Sequence, residues 1–276
     1  MFATASSASE PSRIVAIDWA MLETLMALGI TPVAATELIQ FRKDVVEPEL
    51  PSTVVDLGLR GTPNLELLYT LKPDLILSSP FYARHEHRLA AVAPILSLPF
   101  YIRGEPPFIK ALAAVEALGE RLGRQRQAAI ILAQTEANLT HLGNELRAYA
   151  ERPTYLVNIG DARHVRIFGS DSMFGDVFSR LGLPNAWEGR SRYTFSAPVP
   201  IEHLAAHDNA RIVVISEVPI EARTGLADSM IWNALAPVRQ NRVTMLGNIN
   251  PYGGITAGLR FARLVSDAFL SEGKML

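Results

Sequence analysis

Short apolar runs rich in β-branched residues alternate with amphipathic stretches through the first hundred positions. The runs at 14–17, 32–34, 54–57, 75–77 and 95–98 read as strands, and segments such as METLMALGI and NLELLYTL between them read as helices. Such alternation predicts an α/β fold with a largely parallel sheet, because parallel neighbours need a crossover and a helix supplies it. The pattern starts again at Tyr155, with strands at 155–159, 165–168, 212–215 and 243–246. Two α/β lobes are expected, at 14–122 and 152–276, behind a flexible N-terminus at 1–13.

The segment 123–151 differs from both. From 124 to 151 it holds no proline and a single glycine, Gly143, while Leu132, Leu139, Leu142, Leu146 and Tyr149 follow at spacings of 7, 3, 4 and 3. That spacing puts them on one face of an amphipathic helix. A helix over 125–150 would span roughly 39 Å at about 1.5 Å per residue, enough to cross from lobe to lobe, and Pro153 would end it. The halves also echo each other. PNLELLYTLKPDLILSS (63–79) and VPIEHLAAHDNARIVVIS (199–216) both read as a short helix, a polar turn and a buried strand ending in serine.

Composition narrows the function. The 276 residues are 49% apolar and 20% charged, ample for a sizeable core. A net charge of −2 leaves no basic footprint for nucleic acid, and no Lys/Arg run marks a membrane surface. The expected partner is a small molecule. With no cysteine, disulfides, thiolate metal sites and cysteine nucleophiles are excluded. No run reaches the ~18 apolar residues of a membrane span. The opening MFATASSASEPSR has the small-residue character found around a signal-peptide cleavage site, without the basic and apolar regions that precede one. It reads either as the remnant behind a removed secretion signal or as a plain disordered cytosolic N-terminus.

Enzyme motifs are missing. YGGITAG (252–258) fits neither the phosphate-loop nor the dinucleotide glycine spacing and reads as a tight strand-to-helix turn. FGSDSMFG (168–175) is not a nucleophile elbow. His203 and His207 would share a helix face, and His85 and His87 flank Glu86, but neither pair brings a third ligand; both read as surface histidines. The functional signal lies just past the strands: Arg60, SSPFY (78–82), RYTF (192–195) and NPYGG (250–254). Open α/β sheets place ligands beyond the carboxyl ends of their strands, so the two lobes would share one cleft.

Four stretches, RIVAIDWAMLETLMALGITPVA, EPELPSTVVDLGLRGTPNLELLYTLKPDLIL, VRIFGSDSMFGDVFSRLGLPNAW and YGGITAGLRFARLV, carry a resemblance over residues 12–268. The chain resembles the periplasmic ferric hydroxamate (ferrichrome-type) siderophore-binding proteins of ABC importers. The resemblance implies two Rossmann-like α/β lobes joined by a single long helix, with limited hinge motion and a shallow cleft. It implies that Arg60 in the GLR tripeptide meets the hydroxamate oxygens around the iron, together with a tyrosine after the next strand. An ungapped match puts Phe81 at that tyrosine and a one-residue slip puts Tyr82 there; a phenol can donate to oxygen and a phenyl cannot. Tyr252 matches another cleft aromatic. Where ferrichrome-type members carry tryptophan, this chain reads Asp44, Thr194 and Asn250, with Tyr193 and Phe195 as neighbouring aromatics.

A ferric trihydroxamate is neutral, so one arginine and one phenol suffice for its partly negative oxygens, with apolar surface carrying the rest. A triscatecholate carries a triple negative charge, and the nominated segments hold Arg60 and Arg192 as their cations. The more polar wall leaves room for a citrate-based or otherwise polar hydroxamate. Glu86 and Glu202 match the carboxylates that present each lobe to arginines of the inner-membrane permease; as sequence features they are also ordinary helix-start glutamates. The expectation is a monomeric periplasmic solute-binding protein with no catalytic residue, no protein-bound metal and no cofactor, its iron carried inside the siderophore. The rivals are the same fold with cobalamin, haem, a catecholate siderophore or a metal ion as cargo, and a cytosolic α/β enzyme.

Overall fold

The computed structural model describes residues 11–189 and 198–272. Strands β1 (Ile14–Ala16), β2 (Ala34–Ala35), β3 (Val55–Asp56), β4 (Leu75–Ser78) and β5 (Ile95–Ser97) form one sheet in the order β3-β2-β1-β4-β5. All its pairings are parallel. A second sheet, β10-β9-β6-β7-β8, is built from β6 (Thr154–Ile159), β7 (His164–Ile167), β8 (Val199–Pro200), β9 (Arg211–Ile215) and β10 (Val243–Leu246). Here β10, β9 and β6 are parallel, but β7 runs antiparallel to β6 and β8. The connection over 160–163 is too short for a crossover, so the chain turns back as a hairpin, with Asp161 accepting the Arg163 and His164 N–H groups. Strand β8, absent from the sequence reading, is two residues on a sheet edge and includes Pro200, which an edge tolerates.

The helices among the described residues are α1 (Trp19–Ala27), α2 (Leu38–Asp44), α3 (Leu65–Leu71), α4 (Ala83–Ala90), α5 (Phe108–Arg121), α6 (Gln125–Glu145), α7 (Met173–Arg180), α8 (Ile220–Ala227), α9 (Met230–Ala234), α10 (Ala236–Arg239) and α11 (Ile255–Glu272). The echo of the two halves is topological: β4 lies beside β1 and β9 beside β6, both parallel. In the second copy the helix is a 3-10 turn, Ile201–Ala206.

Helix α6 is the expected long helix, about five residues shorter than its pattern suggested. It stops at Glu145, and Arg147–Tyr149 tightens into a 3-10 turn. The cause is packing: Leu146 is fully buried and the Tyr149 ring sits 5.4 Å from Phe269 of α11, a position a continued α-helix would rotate away. The predicted face does turn inward, with Leu139 and Leu146 buried and Leu132, Leu142 and Tyr149 packed against the core. Gly143 sits where α6 passes close to the end of α7, and a Cβ there would lie 3.3 Å from the Leu181 carbonyl oxygen, a tight contact.

One apolar core runs through both halves. Met21 and Leu25 of α1 and Ala111 and Val115 of α5 join Phe174, Val177 and Phe178 of α7 and Phe261 and Val265 of α11. Baring one such aromatic costs about 1.5–3 kcal/mol, so the shared seam ties the two sheets together. At its edge Glu47 accepts Arg260 at 2.6 Å and also Arg263.

Candidate functional site

Beyond the carboxyl ends of the first sheet lies a cavity of about 610 Å³. Arg60 enters it from the turn after β3. Gly58, at φ +75°, reverses the chain there, and its carbonyl accepts the Glu37 N–H. Glu37, itself left-handed at φ 52°, directs its carboxylate back at this turn, accepting the Arg60 N–H at 3.1 Å and Nε at 2.6 Å. The guanidinium lies 3.9 Å above the Trp19 ring, and the indole N–H of Trp19 is fixed on the Thr36 carbonyl. Arg60 is thus clamped by a carboxylate on one edge and an aromatic face beneath.

After β4 the chain makes a 3-10 turn, Pro80–Tyr82. Tyr82 is buried, with its hydroxyl beside the Arg60 guanidinium, which can only donate, so the phenol oxygen faces it as an acceptor. Burial and then the Asp18 charge raise the Tyr82 pKa, so the group is a protonated donor at physiological pH. Phe81 is 82% exposed at the rim, edge-on to Tyr82. Asp18 lines the floor, capping α1 through the Ala20 and Met21 N–H groups and accepting the Ser79 hydroxyl at 2.8 Å; burial raises its pKa. The facing wall comes from residues after β5 and from the other half of the molecule. The Tyr101 hydroxyl donates to the Gly253 carbonyl at 2.6 Å, and its ring meets that of Tyr252 edge-on at 5.5 Å.

Residues 14–249 match the periplasmic binding protein family. The chain belongs to that family. It is 32% identical over 263 residues to the iron(3+)-hydroxamate-binding protein FhuD of Escherichia coli K12, covering 95% of this chain and 88% of that protein. It is 26% identical over 285 residues to the achromobactin-binding periplasmic protein of Dickeya dadantii, covering 96% and 87%. The crystal structure of the siderophore-binding protein FhuD of Vibrio cholerae with Fe3+-Desferal superposes with a TM-score of 0.88 at 25% identity, over 94% of this chain and 98% of that one. This periplasmic binding protein is a solute-binding component of a transport system and not an enzyme.

Within it, Arg60, Phe81, Tyr82 and Tyr252 come together in the 610 Å³ cavity. Asn250 does not. It is 2% exposed, with its amide turned inward to donate to Glu23 at 2.8 Å, because a buried carboxylate is the stronger acceptor. Asp44 is also elsewhere: it accepts the Gln40 amide and lines a second cavity of about 450 Å³, facing Asn158, Ser216 and Asn248 across the halves. Arg192, Tyr193, Thr194 and Phe195 lie outside the described residues. Glu86 and Glu202 are exposed and line neither cavity. The histidines form no centre: among the described residues no group of three or more His, Asp or Glu could hold a metal ion.

Sequence reasoning missed Trp19, Glu37, Arg84, Tyr101 and Arg103, all lining the cavity. Trp19 and Tyr101 each follow a strand, so the strand-end rule that nominated Arg60 would have reached them. Glu37, two residues past β2, was within reach of the same rule. Arg84 and Arg103, both exposed at the cavity, give it two cations beyond the Arg60–Glu37 pair.

Proposed function

We propose that this chain captures an iron(III)-siderophore complex of hydroxamate type in the periplasm and delivers it, as a monomer, to an ABC permease in the inner membrane. The observation that carries this reading is Arg60, held by Glu37 and Trp19 beside the Tyr82 hydroxyl in an aromatic-walled cavity. Two donors of fixed direction meet the negative iron-bound oxygens, while Trp19, Phe81, Tyr101 and Tyr252 cover the organic scaffold. The iron is cargo, held by ligand oxygens, and needs no protein ligand. The lobes 14–122 and 152–276, with 123–151 between them, are the units that flank the cleft. Glu86 and Glu202, one on each, are the docking carboxylates. Among the described residues no helix is long and apolar enough to cross a membrane.

Arg84 and Arg103 favour a more specific cargo, a ferric hydroxamate that also carries a carboxylate, over a neutral one. Titration with ferric desferrioxamine B, a ferric citrate-hydroxamate, a triscatecholate, haem and cobalamin tests both levels. Trp19 is the one tryptophan lining the cavity, so quenching that is lost in Trp19→Phe reports binding there. Quenching by cobalamin, haem or the catecholate and by neither hydroxamate overturns the proposal.

A further inference from the structure

Behind the aromatic wall, the two halves meet at a buried carboxylate. Glu23, on α1, is 0% exposed. Its Oε1 accepts the Asn250 amide at 2.8 Å, and its Oε2 accepts the Gly254 N–H and the Thr256 hydroxyl, each at 2.8 Å. The Ala257 N–H is a further donor, so every partner comes from the turn before α11 or from that helix's first turn. The fit is close. A Cβ at Gly253 would sit 2.6 Å from both carboxylate oxygens, and one at Gly254 would sit 2.9 Å from the Thr24 hydroxyl.

The same turn carries the far wall of the cavity. Asn250 donates to Glu23 through Nδ2 and, through Oδ1, accepts the Tyr252 N–H at 3.0 Å. Gly253 receives the Tyr101 hydroxyl, and Tyr101 meets Tyr252 ring to ring. A relay thus runs from Glu23 through Asn250 to Tyr252, with Tyr101 tied to the same loop from the first half. Neither Glu23 nor Asn250 lines the cavity.

We propose that Glu23 is a positioning residue for cargo binding, its carboxylate orienting Asn250 so that Tyr252 and Tyr101 close the cavity wall at a fixed width. The proposal rests on the binding function above. Its chemistry is directional: the ionised carboxylate, the main form above about pH 7, offers only acceptors, and the Asn250 amide, the Gly254 and Ala257 N–H groups and the Thr256 hydroxyl all donate to it. In Glu23→Gln the amide oxygen serves the Gly254 and Thr256 side, so the new NH2 faces the Asn250 NH2. Asn250 then flips, and its oxygen leaves the Tyr252 N–H. The double variant Glu23→Gln/Asn250→Asp restores the relay, since an aspartate accepts from the glutamine amide with one oxygen and from the Tyr252 N–H with the other.

The experiment compares wild type, Glu23→Gln, Asn250→Ala and the double variant. The readouts are calorimetric affinity for ferric desferrioxamine B, amide exchange at Tyr252 and far-UV circular dichroism. Both single variants are expected to keep the fold, bind roughly three- to tenfold more weakly and exchange the Tyr252 amide faster; the double variant should return to within about twofold of wild type. Asn250→Ala leaves the bonds to Oε2 in place, so it decides the matter if Glu23→Gln does not fold. Folded single variants with wild-type affinity and exchange overturn the proposal, as does a folded double variant that recovers neither. If wild type does not bind the probe, the functional reading has failed. Tyr252 exchange then still separates a working relay from an idle one.

Discussion

Removing the Arg60 side chain separates binding from stability. In the free protein its guanidinium has three partners: Glu37 at 2.6 Å, the Trp19 ring at 3.9 Å and the Tyr82 hydroxyl. The ion pair is partly exposed, 29% and 20% for the two side chains, so solvent screening limits it to at most ~1 kcal/mol. The stack on Trp19 adds about 0.5–1 kcal/mol. Losing the Tyr82 contact adds about 0.5–1.5 kcal/mol, and Arg60→Ala keeps the backbone N–H bond to Glu37, so the total cost is about 1–3 kcal/mol, or several degrees in melting temperature. Binding also weakens. Each charge-assisted hydrogen bond to an iron-bound oxygen contributes ~1.5–3 kcal/mol, so affinity should fall at least about tenfold. Glu37 would also face the cargo with its charge no longer offset, and adding Glu37→Gln to Arg60→Ala should recover part of the loss. Arg60→Lys recovers part as well, because an ammonium is a point donor that cannot keep the Glu37 edge and span two ligand oxygens. Isothermal titration with ferric desferrioxamine B and scanning calorimetry on the same preparations measure both quantities. Affinity within about threefold of wild type, beside a lowered melting temperature, would refute the reasoning and leave Arg60 a brace for its own loop.

Two further predictions concern other charges. Glu86→Lys combined with Glu202→Lys should abolish siderophore uptake by cells and leave affinity nearly unchanged, since neither residue lines the 610 Å³ or the 450 Å³ cavity; transport at the wild-type rate rejects the docking role. Glu23 makes stability depend on pH: burial lifts its pKa from 4.5 to about 7, so the folded state holds the proton more tightly than the unfolded chain. Its contribution is fully present below about pH 4.5 and is lost as pH rises through about 7, a change of about 3 kcal/mol. Burial of Asp18 acts in the same direction. Urea unfolding between pH 5 and 8 should show stability falling, with a flatter profile in Glu23→Gln; a rise across that window in wild type contradicts the assignment.

Local pattern determined most of the fold of this protein. Strand-length β-branched runs and helix-length amphipathic stretches recur at the places where nine of the ten strands and the long α6 form, because side-chain periodicity is set by backbone geometry and survives in the linear chain. It also nominated the stretches that hold Arg60, Tyr82 and Tyr252, all of which line the cavity, since open α/β sheets place ligands beyond the carboxyl ends of their strands; the resemblance singled out those residues within them. The remainder needed the third dimension. Strand β8 was too short to show a period, and the misreadings of Asn250 and Glu37 are pairings between distant positions. Asn250 looked like a cleft residue until Glu23, 227 positions earlier, was found to hold its amide, and Glu37 had no visible task until Arg60, 23 positions later, folded onto its carboxylate. The shared seam of Phe174, Phe178 and Phe261 with α1 and α5 was hidden for the same reason. Burial and hydrogen-bond partnership belong to pairs of residues, and only the closed chain determines which pairs meet.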